Sequence, residues 1–357
     1  MASSFADRGG WPAVLRSLLA HEHLSADVAR SALAEVLDGS ATSTQLAAFI
    51  VALRMKGETV EEMSGLVQAM LDVSTPVELP ADVQPIDNCG TGGSAPRRQG
   101  AYNVSTVAGL VVAAAGAAVC KHGNRAASST CGSADLLEAL GVAIDLGPEG
   151  VARCVTEVGF GFCFAPRFHP AMRHAVPTRR ELGVPTVFNF LGPLANPAAV
   201  RRQVVGVSDA AMADTVMGVL AARGAERAMV VHGHDGLDEV TTTTTTSVLE
   251  LRDGQVRAWV LDPSDLGIPP ADPSAIRGGD AIANRDLVRR LLDGERGARR
   301  DLVLVNAAAG LVVAGVADDL ATGYEAAAAA VDDGAAAGVA ERLVAVSQQE
   351  AAATVPA

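Results

Sequence analysis

The residue types best suited to chemistry are concentrated between positions 87 and 133, where glycine and hydroxyl side chains lie on both sides of one apolar stretch. The glycines of segment 90–93 let the backbone approach a ligand and direct amide N–H groups at an anion. Asn103, Ser105 and Thr106 are placed to begin a helix, whose N-terminal N–H groups and dipole favour phosphate. Neither GxxxxGK(S/T) nor GxGxxG is present, so the segment predicts an anion site that differs from the usual nucleotide loops.

A second candidate anion site follows the apolar stretch. Lys121 and Arg125 provide two cations, and Ser128, Ser129 and Ser133 provide hydroxyl groups. One anion-binding segment on each side of a single helix predicts that the chain holds two phosphate groups.

Asp238 and Glu239, in the sequence GLDE, are the strongest candidates for a metal site. Adjacent carboxylates after a glycine turn offer the hard oxygen ligands that Mg²⁺ prefers, while water and substrate phosphates fill its other positions. A solvated turn is the alternative interpretation of two neighbouring acids. His232 and His234 form an HxH pair close by, but without a third soft ligand this pattern gives little support to zinc.

The elements that must position these residues begin with a helical segment of roughly the first 75 residues. The stretch ADVARSALAEVLDG has helical apolar spacing and ends at Gly39, a favourable residue just after a helix. Thr42 with Gln45, and Thr59 with Glu62, have the spacing of capping boxes at the starts of two further helices. This pattern predicts a small N-terminal helical domain.

Beyond the proline-bearing segment 76–85, which suits a hinge, strand-like and helix-like stretches alternate. This alternation favours an α/β domain with a mainly parallel sheet. The predicted strands or strand ends are VTEVGFGFCFAP, RRQVVGVS, RAMVVHG and SVLELRDG, and the predicted helices are DLLEALG, DAAMADTVMGVLAARG and RDLVRRLLDG. The threonine run 241–246 is interpreted as a β-prone or loop stretch beside the acidic motif, with simple low complexity as the preferred interpretation, and the alanine-rich stretch after Gly323 is interpreted as packed helices.

Composition limits the classes of function. A length of 357 residues allows two domains, and 3% aromatic content requires a core of Ala, Val and Leu. The net charge of −13 disfavours nucleic acid and anionic membranes as partners. The polar opening MASSFADRGG predicts no signal peptide, and the apolar run near 107–120 is too short to span a bilayer. Five cysteines without CxxC spacing predict buried free thiols in a cytoplasmic protein.

Taken in order, these motifs resemble the anthranilate phosphoribosyltransferase family, which shares its fold with pyrimidine nucleoside phosphorylases. The family pattern of GTGGD, N-x-S-T and KHGNR-x-x-SS-x-x-GS-x-D is matched at 90–93, 103–106 and 121–135. Further blocks stand at 168–197 and 230–241, and the resemblance extends to NAAAGL at 306–311. It implies a discontinuous helical domain, 1–77 with helices contributed from about 168–200. The α/β domain that binds phosphoribosyl pyrophosphate would then comprise 85–167 and 201–357.

The resemblance implies transfer of the phosphoribosyl group of 5-phosphoribosyl-1-pyrophosphate to the amine of anthranilate. The products would be N-(5-phosphoribosyl)anthranilate and pyrophosphate, in tryptophan biosynthesis. It also implies Mg²⁺ as cofactor, a homodimer, and no covalent nucleophile, because positioning and electrostatics can supply most of the reduction in the barrier.

The same resemblance assigns binding residues. For anthranilate it implies Gly90, Asn124 and Arg179, whose planar guanidinium matches a carboxylate. For the metal it implies Ser105, Asp238 and Glu239. For phosphoribosyl pyrophosphate it implies Gly90, Gly93, Ser94, Ala101, Asn103, Val104, Ser105, Thr106, Lys121, His122, Gly123, Asn124, Arg125, Ala126, Ala127, Ser128, Ser129 and Ser133.

One departure from the family pattern leaves alternatives open. Ser94 stands where the family has Asp, and the longer spacer to Asn103 contains Arg97 and Arg98. Replacement of the family's Asp by Ser94 predicts weaker binding of a second Mg²⁺. The two arginines would either take its place as partners of the phosphates or only keep the loop solvated. An acceptor other than anthranilate stays open. A pyrimidine nucleoside phosphorylase is disfavoured by the intact GLDE and 168–197 blocks, and a nucleic-acid-binding relative by the negative charge.

Overall fold

A seven-stranded sheet is the centre of the described structure. The computed structural model describes residues 5–93, 102–126 and 130–354. The strands are β1 Ile86–Gly90, β2 Val119–Gly123, β3 Phe160–Phe164, β4 Arg202–Gly206, β5 Arg227–Gly233, β6 Thr246–Arg252 and β7 Gln255–Leu261. Their order is β3-β2-β1-β4-β5-β6-β7. The first five are parallel, and β6 and β7 extend one edge in antiparallel fashion, so the prediction of a mainly parallel sheet is confirmed.

Helices precede the sheet and cover its two faces. The α-helices of the described ranges are α1 Gly10–Leu19, α2 Ala26–Leu37, α3 Ser43–Lys56, α4 Val60–Asp72, α5 Val104–Ala114, α6 Ser133–Leu140, α7 Pro148–Val158, α8 Ala165–Phe168, α9 Val176–Leu182, α10 Phe188–Leu194, α11 Ala213–Ala222, α12 Ala281–Leu292, α13 Ala298–Ala314, α14 Leu320–Asp332 and α15 Ala335–Thr354. Short 3₁₀ helices lie at Pro170–His174, Ala210–Met212 and Pro263–Leu266. No helix of the described ranges is both long and apolar enough to cross a membrane.

The local signals of the first 75 residues are confirmed. Both predicted capping boxes form, with Thr42 and Gln45 at the start of α3 and Thr59 and Glu62 at the start of α4. Each pair satisfies two backbone N–H groups that a helix start otherwise leaves without partners. Gly39, just after α2, has a φ of 84°, in the left-handed region that favours glycine.

One predicted strand is partly wrong. The residues VTEV at 155–158 belong to α7, and β3 begins only at Phe160. Pro148 lies at the start of α7 and Gly159 ends it with a φ of 86°, so local helix signals outweigh the apolar character of the stretch. Strands β1, β2 and β7 were not predicted, because β1 and β2 carry polar residues of the anion-binding segments instead of an apolar run, and β7 is largely exposed.

Two apolar cores divide the molecule. One lies against the sheet and consists chiefly of α5, α7, α13, α14 and α15. The other surrounds α1–α4 and takes in Ala175 and most of α10, but also side chains of β4, β5 and α11. Both cores are built mainly from Ala, Val and Leu, as the composition predicts. All five cysteines lie in the described ranges, are buried, and form no disulfide.

Candidate active site

A cavity of about 590 Å³ lies at the carboxyl ends of β1 and β2, between the glycine-rich loops and residues of segment 165–193. Carboxyl ends of parallel strands are the usual location of ligand sites in open α/β sheets. The predicted site residues that line it are Gly90, Gly93, Ser105, Lys121, His122, Gly123, Asn124, Arg125, Ala126, Ser133 and Arg179.

Other predicted contacts have different positions. Asn103, Val104 and Thr106 are buried at the start of α5 and are not part of the cavity wall. The predicted residues that lie outside the described ranges are Ser94, Ala101, Ala127, Ser128 and Ser129, together with Arg97 and Arg98 of the altered loop.

The glycine loop has a backbone that other residues would strain. Gly92 and Gly93 have φ values of 69° and 75°, in the left-handed region. Thr91, between them and β1, donates its N–H to the Gly206 carbonyl at 2.9 Å. The Thr91 hydroxyl oxygen lies 3.2 Å from the Ser208 hydroxyl oxygen and accepts the backbone N–H of Ser208 at 3.0 Å. The loop is therefore fixed to the end of β4, although the motifs assigned no role to Thr91 or Ser208.

The acidic pair lies directly against this loop. Asp238 is 0% exposed, and its Oδ2 accepts the N–H of Gly92 at 2.8 Å. Gly90 and Gly206 are paired in register at the ends of β1 and β4, and a Cβ on either would collide with Asp238. Glu239 is also buried. Glycine is required at both strand ends because the acidic motif occupies the space of a side chain.

The donor set fits a magnesium ion shared with a substrate. Asp238 lies against the glycine loop with Glu239 next to it in the chain, and Ser105 contributes to the cavity wall; the two buried acids lie behind that wall and are not among the residues that line the cavity. Within residues 5–93, 102–126 and 130–354, no three His, Cys, Asp or Glu side chains are grouped to hold a metal on their own. Mg²⁺ is usually bound by one or two carboxylates plus water and substrate phosphates, so this arrangement suits it.

The threonine run forms a loop at 241–245 beside the acidic motif and enters β6 at Thr246, as predicted, and the loop is held by specific hydrogen bonds. Thr241, Thr242 and Thr246 are fully buried. The Asp235 carboxylate accepts hydrogen bonds from the Thr241 hydroxyl at 2.7 Å and from the Thr243 hydroxyl at 2.5 Å. Repeated hydroxyl side chains here satisfy buried polar groups of the loop that carries the acidic pair.

The two cations predicted for the second anion site, Lys121 and Arg125, both have partners within the protein. Lys121 is buried in the cavity wall and donates to the carbonyl oxygen of Asn88. Arg125 pairs with Asp135 at 3.1 Å and with Glu138 at 2.8 Å. A phosphate would therefore have to share Arg125 with two carboxylates, a competition that sequence spacing did not reveal.

His122 lies in the wall as a neutral imidazole. Its Nδ1–H donates to the Gly192 carbonyl at 3.1 Å, which leaves Nε2 as an acceptor. Burial lowers the pKa of His122 to about 3, and the neighbouring His169 imidazole contributes to the decrease. The two rings are 5.0 Å apart. Without a bound anion His122 is therefore neutral at neutral pH, which suits a role in positioning.

Arg179 faces the cavity from α9. Its guanidinium lies 5.1 Å from the centre of the Phe188 ring, and burial lowers its pKa. No carboxylate of the described ranges forms an ion pair with it. An arginine beside an aromatic ring in a cavity wall suits a planar aromatic acid, and Phe188 is a residue that the sequence did not single out.

Asn103 has a structural connection that its motif did not predict. Helix α5 begins after it as expected, but its side chain does not cap the helix. Instead, Asn103 Nδ2 donates to the Cys131 carbonyl at 2.9 Å, and its Oδ1 accepts from Asn284 at 2.9 Å. The two glycine- and serine-rich segments are thus joined through Asn103.

The histidine pair beside the acidic motif gives no support to zinc. His232 Nδ1 lies 2.8 Å from the Val207 carbonyl, and both ring nitrogens of His234 contact hydroxyl groups of Thr245 and Ser247 at 2.7 Å. His234 would have to give up one of these hydroxyl partners before it could bind a metal, and no third soft ligand of the described ranges is grouped with the pair.

The family relationships agree with this architecture. Models of two glycosyl transferase family domains match, the helical bundle domain at residues 12–74 and the a/b domain at 82–337. An anthranilate phosphoribosyltransferase of Salinispora arenicola is 53% identical, over 94% of this chain and 96% of that protein.

Solved structures extend the likeness to the fold. The crystal structure of anthranilate phosphoribosyltransferase from Thermus thermophilus is 40% identical with a TM-score of 0.88, over 94% of this chain and 99% of that chain. The Saccharomyces cerevisiae enzyme in complex with PRPP and Mg is 28% identical with a TM-score of 0.85, over 95% and 98% of the respective chains. With sequence, domain order and fold in agreement, this chain belongs to the anthranilate phosphoribosyltransferase family.

Proposed function

We propose that this protein transfers the phosphoribosyl group of 5-phosphoribosyl-1-pyrophosphate to the amine of anthranilate, as a step of tryptophan biosynthesis. The observation that carries the proposal is the composition of one cavity. Its wall contains the glycine loop, which is hydrogen-bonded to the acidic pair at Asp238, and also Arg179 beside an aromatic ring. A polyphosphate and an aromatic carboxylate are the two ligands that these groups suit.

The reaction forms a bond from the anthranilate nitrogen to ribose C1 and breaks the bond from C1 to the pyrophosphate oxygen, and the nitrogen then loses a proton. The barrier arises from charge separation, because a ribosyl cation develops while pyrophosphate leaves. Fixed dipoles and positioning reduce such a barrier without a covalent nucleophile. We assign binding of the phosphoribosyl pyrophosphate to the residues predicted from the family motifs, with the amides of the glycine loop and Lys121 nearest the cavity.

Asp238 and Glu239, with Ser105, are the residues that would hold Mg²⁺. The ion would act as a Lewis acid that neutralises the leaving pyrophosphate. The support on the protein side is the buried pair of carboxylates beside the glycine loop, with Asp238 oriented by Gly92. The structure of the yeast relative in complex with PRPP and Mg supports Mg²⁺ as the metal.

Anthranilate binding is assigned to Arg179, Asn124 and Gly90. The guanidinium can form a two-point contact with the carboxylate, and Phe188 gives the aromatic ring an apolar neighbour. The anthranilate amine is neutral at pH 7, so it attacks without prior loss of a proton.

Assembly and location complete the proposal. We propose a cytoplasmic homodimer, with a helical domain of 1–77 and helices from about 168–200 that moves relative to the rest about segment 76–85. The homodimer rests on the family relationship; Leu19 on α1 and Met55 on α3, 75% and 78% exposed, are apolar side chains that such an interface would cover.

The test is the decay of anthranilate fluorescence when purified protein receives phosphoribosyl pyrophosphate and Mg²⁺, with the product identified by mass. Replacing both Asp238 and Glu239 with Ala should nearly abolish turnover, since each lost contact costs roughly 2–4 kcal/mol of transition-state stabilisation. Replacing Asp318 and Asp319, an adjacent acidic pair that is exposed to solvent just before α14, should leave turnover unchanged. Absence of product with the natural chain would refute the proposed function, and full activity of the first double variant would remove the acidic pair from it.

A further inference from the structure

The loop between β5 and β6 carries the acidic pair, and a side chain from a distant helix holds it directly after Glu239. Asn306, in α13, is only 4% exposed. Its Oδ1 accepts the N–H of Val240 at 2.9 Å, and its Nδ2 donates to the Val240 carbonyl at 2.8 Å. Because a backbone N–H can only donate and a carbonyl can only accept, these two bonds fix the orientation of the amide group.

This pairing controls the backbone beside the metal ligands. Asn306 satisfies both polar groups of Val240 in the way that a neighbouring strand would, and Nδ2 also donates to Leu302 in its own helix at 2.8 Å. A buried N–H or carbonyl without a partner costs about 1–3 kcal/mol of free energy, so a backbone movement of Val240 that breaks its bonds to Asn306 is unfavourable. The direction of the adjacent Glu239 is constrained with it.

The loop is also held on the far side of the acidic pair. Asp235 accepts the N–H of Leu237 at 3.0 Å and the hydroxyl of Thr241 at 2.7 Å, which ties the residues before the pair to those after it. Thr241 in turn donates its N–H to the Thr246 hydroxyl at 3.0 Å. On the sheet side the motif abuts Gly90, where no side chain fits.

We propose that Asn306, assisted by Thr241, is a positioning residue for magnesium. It sets the acidic pair so that the carboxylates meet the ion together with the pyrophosphate, although Asn306 itself contacts neither. The inference rests on the proposed function. A neutral amide suits the task, because an aspartate at this position would lose the donor to Val240 and add a third negative charge beside the pair.

The experiment is a calorimetric titration of phosphoribosyl pyrophosphate into the protein without an aromatic acceptor, repeated from limiting to saturating Mg²⁺. Loss of a residue that orients metal ligands typically weakens metal affinity roughly 10- to 100-fold. Asn306→Ala should therefore need roughly ten times or more Mg²⁺ for half-maximal tight binding, and should approach natural affinity at saturating Mg²⁺. Thr241→Val, which keeps the side-chain volume, should shift the Mg²⁺ requirement in the same direction.

The matched control is Ser347→Ala. Ser347 is fully buried in α15 and accepts the N–H of Ala143 at 3.0 Å, so its loss removes a comparable hydrogen bond away from the acidic loop. This control should be destabilised without any change in the Mg²⁺ requirement.

An unchanged Mg²⁺ requirement in Asn306→Ala, or equal weakening at every Mg²⁺ concentration, would overturn the inference and leave the proposed function intact. If Asn306→Ala does not fold, as judged by thermal unfolding, folded Thr241→Val decides in the same way. If the natural chain itself shows no Mg²⁺-dependent binding of phosphoribosyl pyrophosphate, the proposed function fails and this inference with it.

Discussion

Replacing Gly90 with alanine should damage the site through Asp238. A Cβ at this position would lie 2.3 Å from Asp238 Oδ2 and 2.9 Å from the Asp238 carbonyl oxygen. Comfortable contacts of a carbon atom begin near about 3.5 Å, so the carboxylate must retreat by about 1 Å. The main chain of Asp238 cannot follow, because its carbonyl already occupies the space above Gly206. The side chain must therefore give up the Gly92 N–H.

The magnitude follows from that displacement. A misplacement of about 1 Å near reacting groups can reduce the rate about 100-fold, and overpacking of this kind costs about 1–3 kcal/mol of stability. We expect kcat/KM of Gly90→Ala to fall by about 100-fold or more, with a rise in the Mg²⁺ concentration that gives half-maximal rate. The measurements are anthranilate fluorescence decay at varied Mg²⁺ and thermal unfolding.

Gly338→Ala is the matched control. Gly338 lies inside α15, where a Cβ would meet only the flexible end of Arg342 at 3.3 Å. Alanine in a helix interior is favoured over glycine by about 0.5–1 kcal/mol, so this variant should keep its activity and gain stability. Natural kcat/KM and natural Mg²⁺ dependence in folded Gly90→Ala would refute the reasoning. Lost activity with unchanged Mg²⁺ dependence would place the damage at a substrate contact.

Two further predictions concern the cavity wall. Arg179→Ala should raise the KM for anthranilate roughly 10- to 100-fold, the equivalent of one charged hydrogen-bonding contact, and should affect phosphoribosyl pyrophosphate much less. Arg179→Lys should recover only part of the loss, and the neighbouring substitution Arg180→Ala should show none of the defect; equal effects on both substrates would contradict the assignment. Burial lowers the pKa of His122 to about 3. Below about pH 6.5 the His122 imidazole is therefore protonated in the unfolded chain but stays neutral in the folded chain. The folded protein should therefore become less stable as the pH is lowered through this window. Between pH 7.5 and pH 5.5 its free energy of unfolding, measured with urea, should decrease by about 1.4 kcal/mol more than that of His122→Gln. Equal decreases in the two proteins would show that His122 does not stay neutral.

The sequence predicted best what local physics determines. The capping boxes of α3 and α4 need only residues three positions apart, and the structure forms both. The alternation of strand and helix was likewise sufficient for the mainly parallel sheet. The stretch 155–158 was assigned to a strand because its apolar residues suit a strand or a helix. The helix is favoured by residues outside the stretch, Pro148 at its start and Gly159 just after its end.

Partner choice between distant residues could not be predicted. Arg125 had the right charge for phosphate, but nothing in its motif revealed the pairing with Glu138 on α6. Asn103 had the right type for a helix cap, but its amide is used by Asn284, 181 positions away. Family motifs identified residues near the cavity and even included Asn306 in the block at 306–311, but its hydrogen bonds to Val240 became visible only in three dimensions.

The hydrogen bond from Gly92 to Asp238 joins positions that are 146 residues apart in the chain. Contacts of such long sequence separation form late in folding, because the intervening chain must be ordered before they can close. The glycine loop follows β1 and the acidic motif follows β5, so their meeting requires β4 between them to be in place. In a chain whose sheet is incomplete, the glycine loop and the acidic motif are therefore both present but do not meet to form the site. Ligand that binds only the completed site stabilises the folded state by mass action, so it should protect the whole central sheet against unfolding rather than one loop.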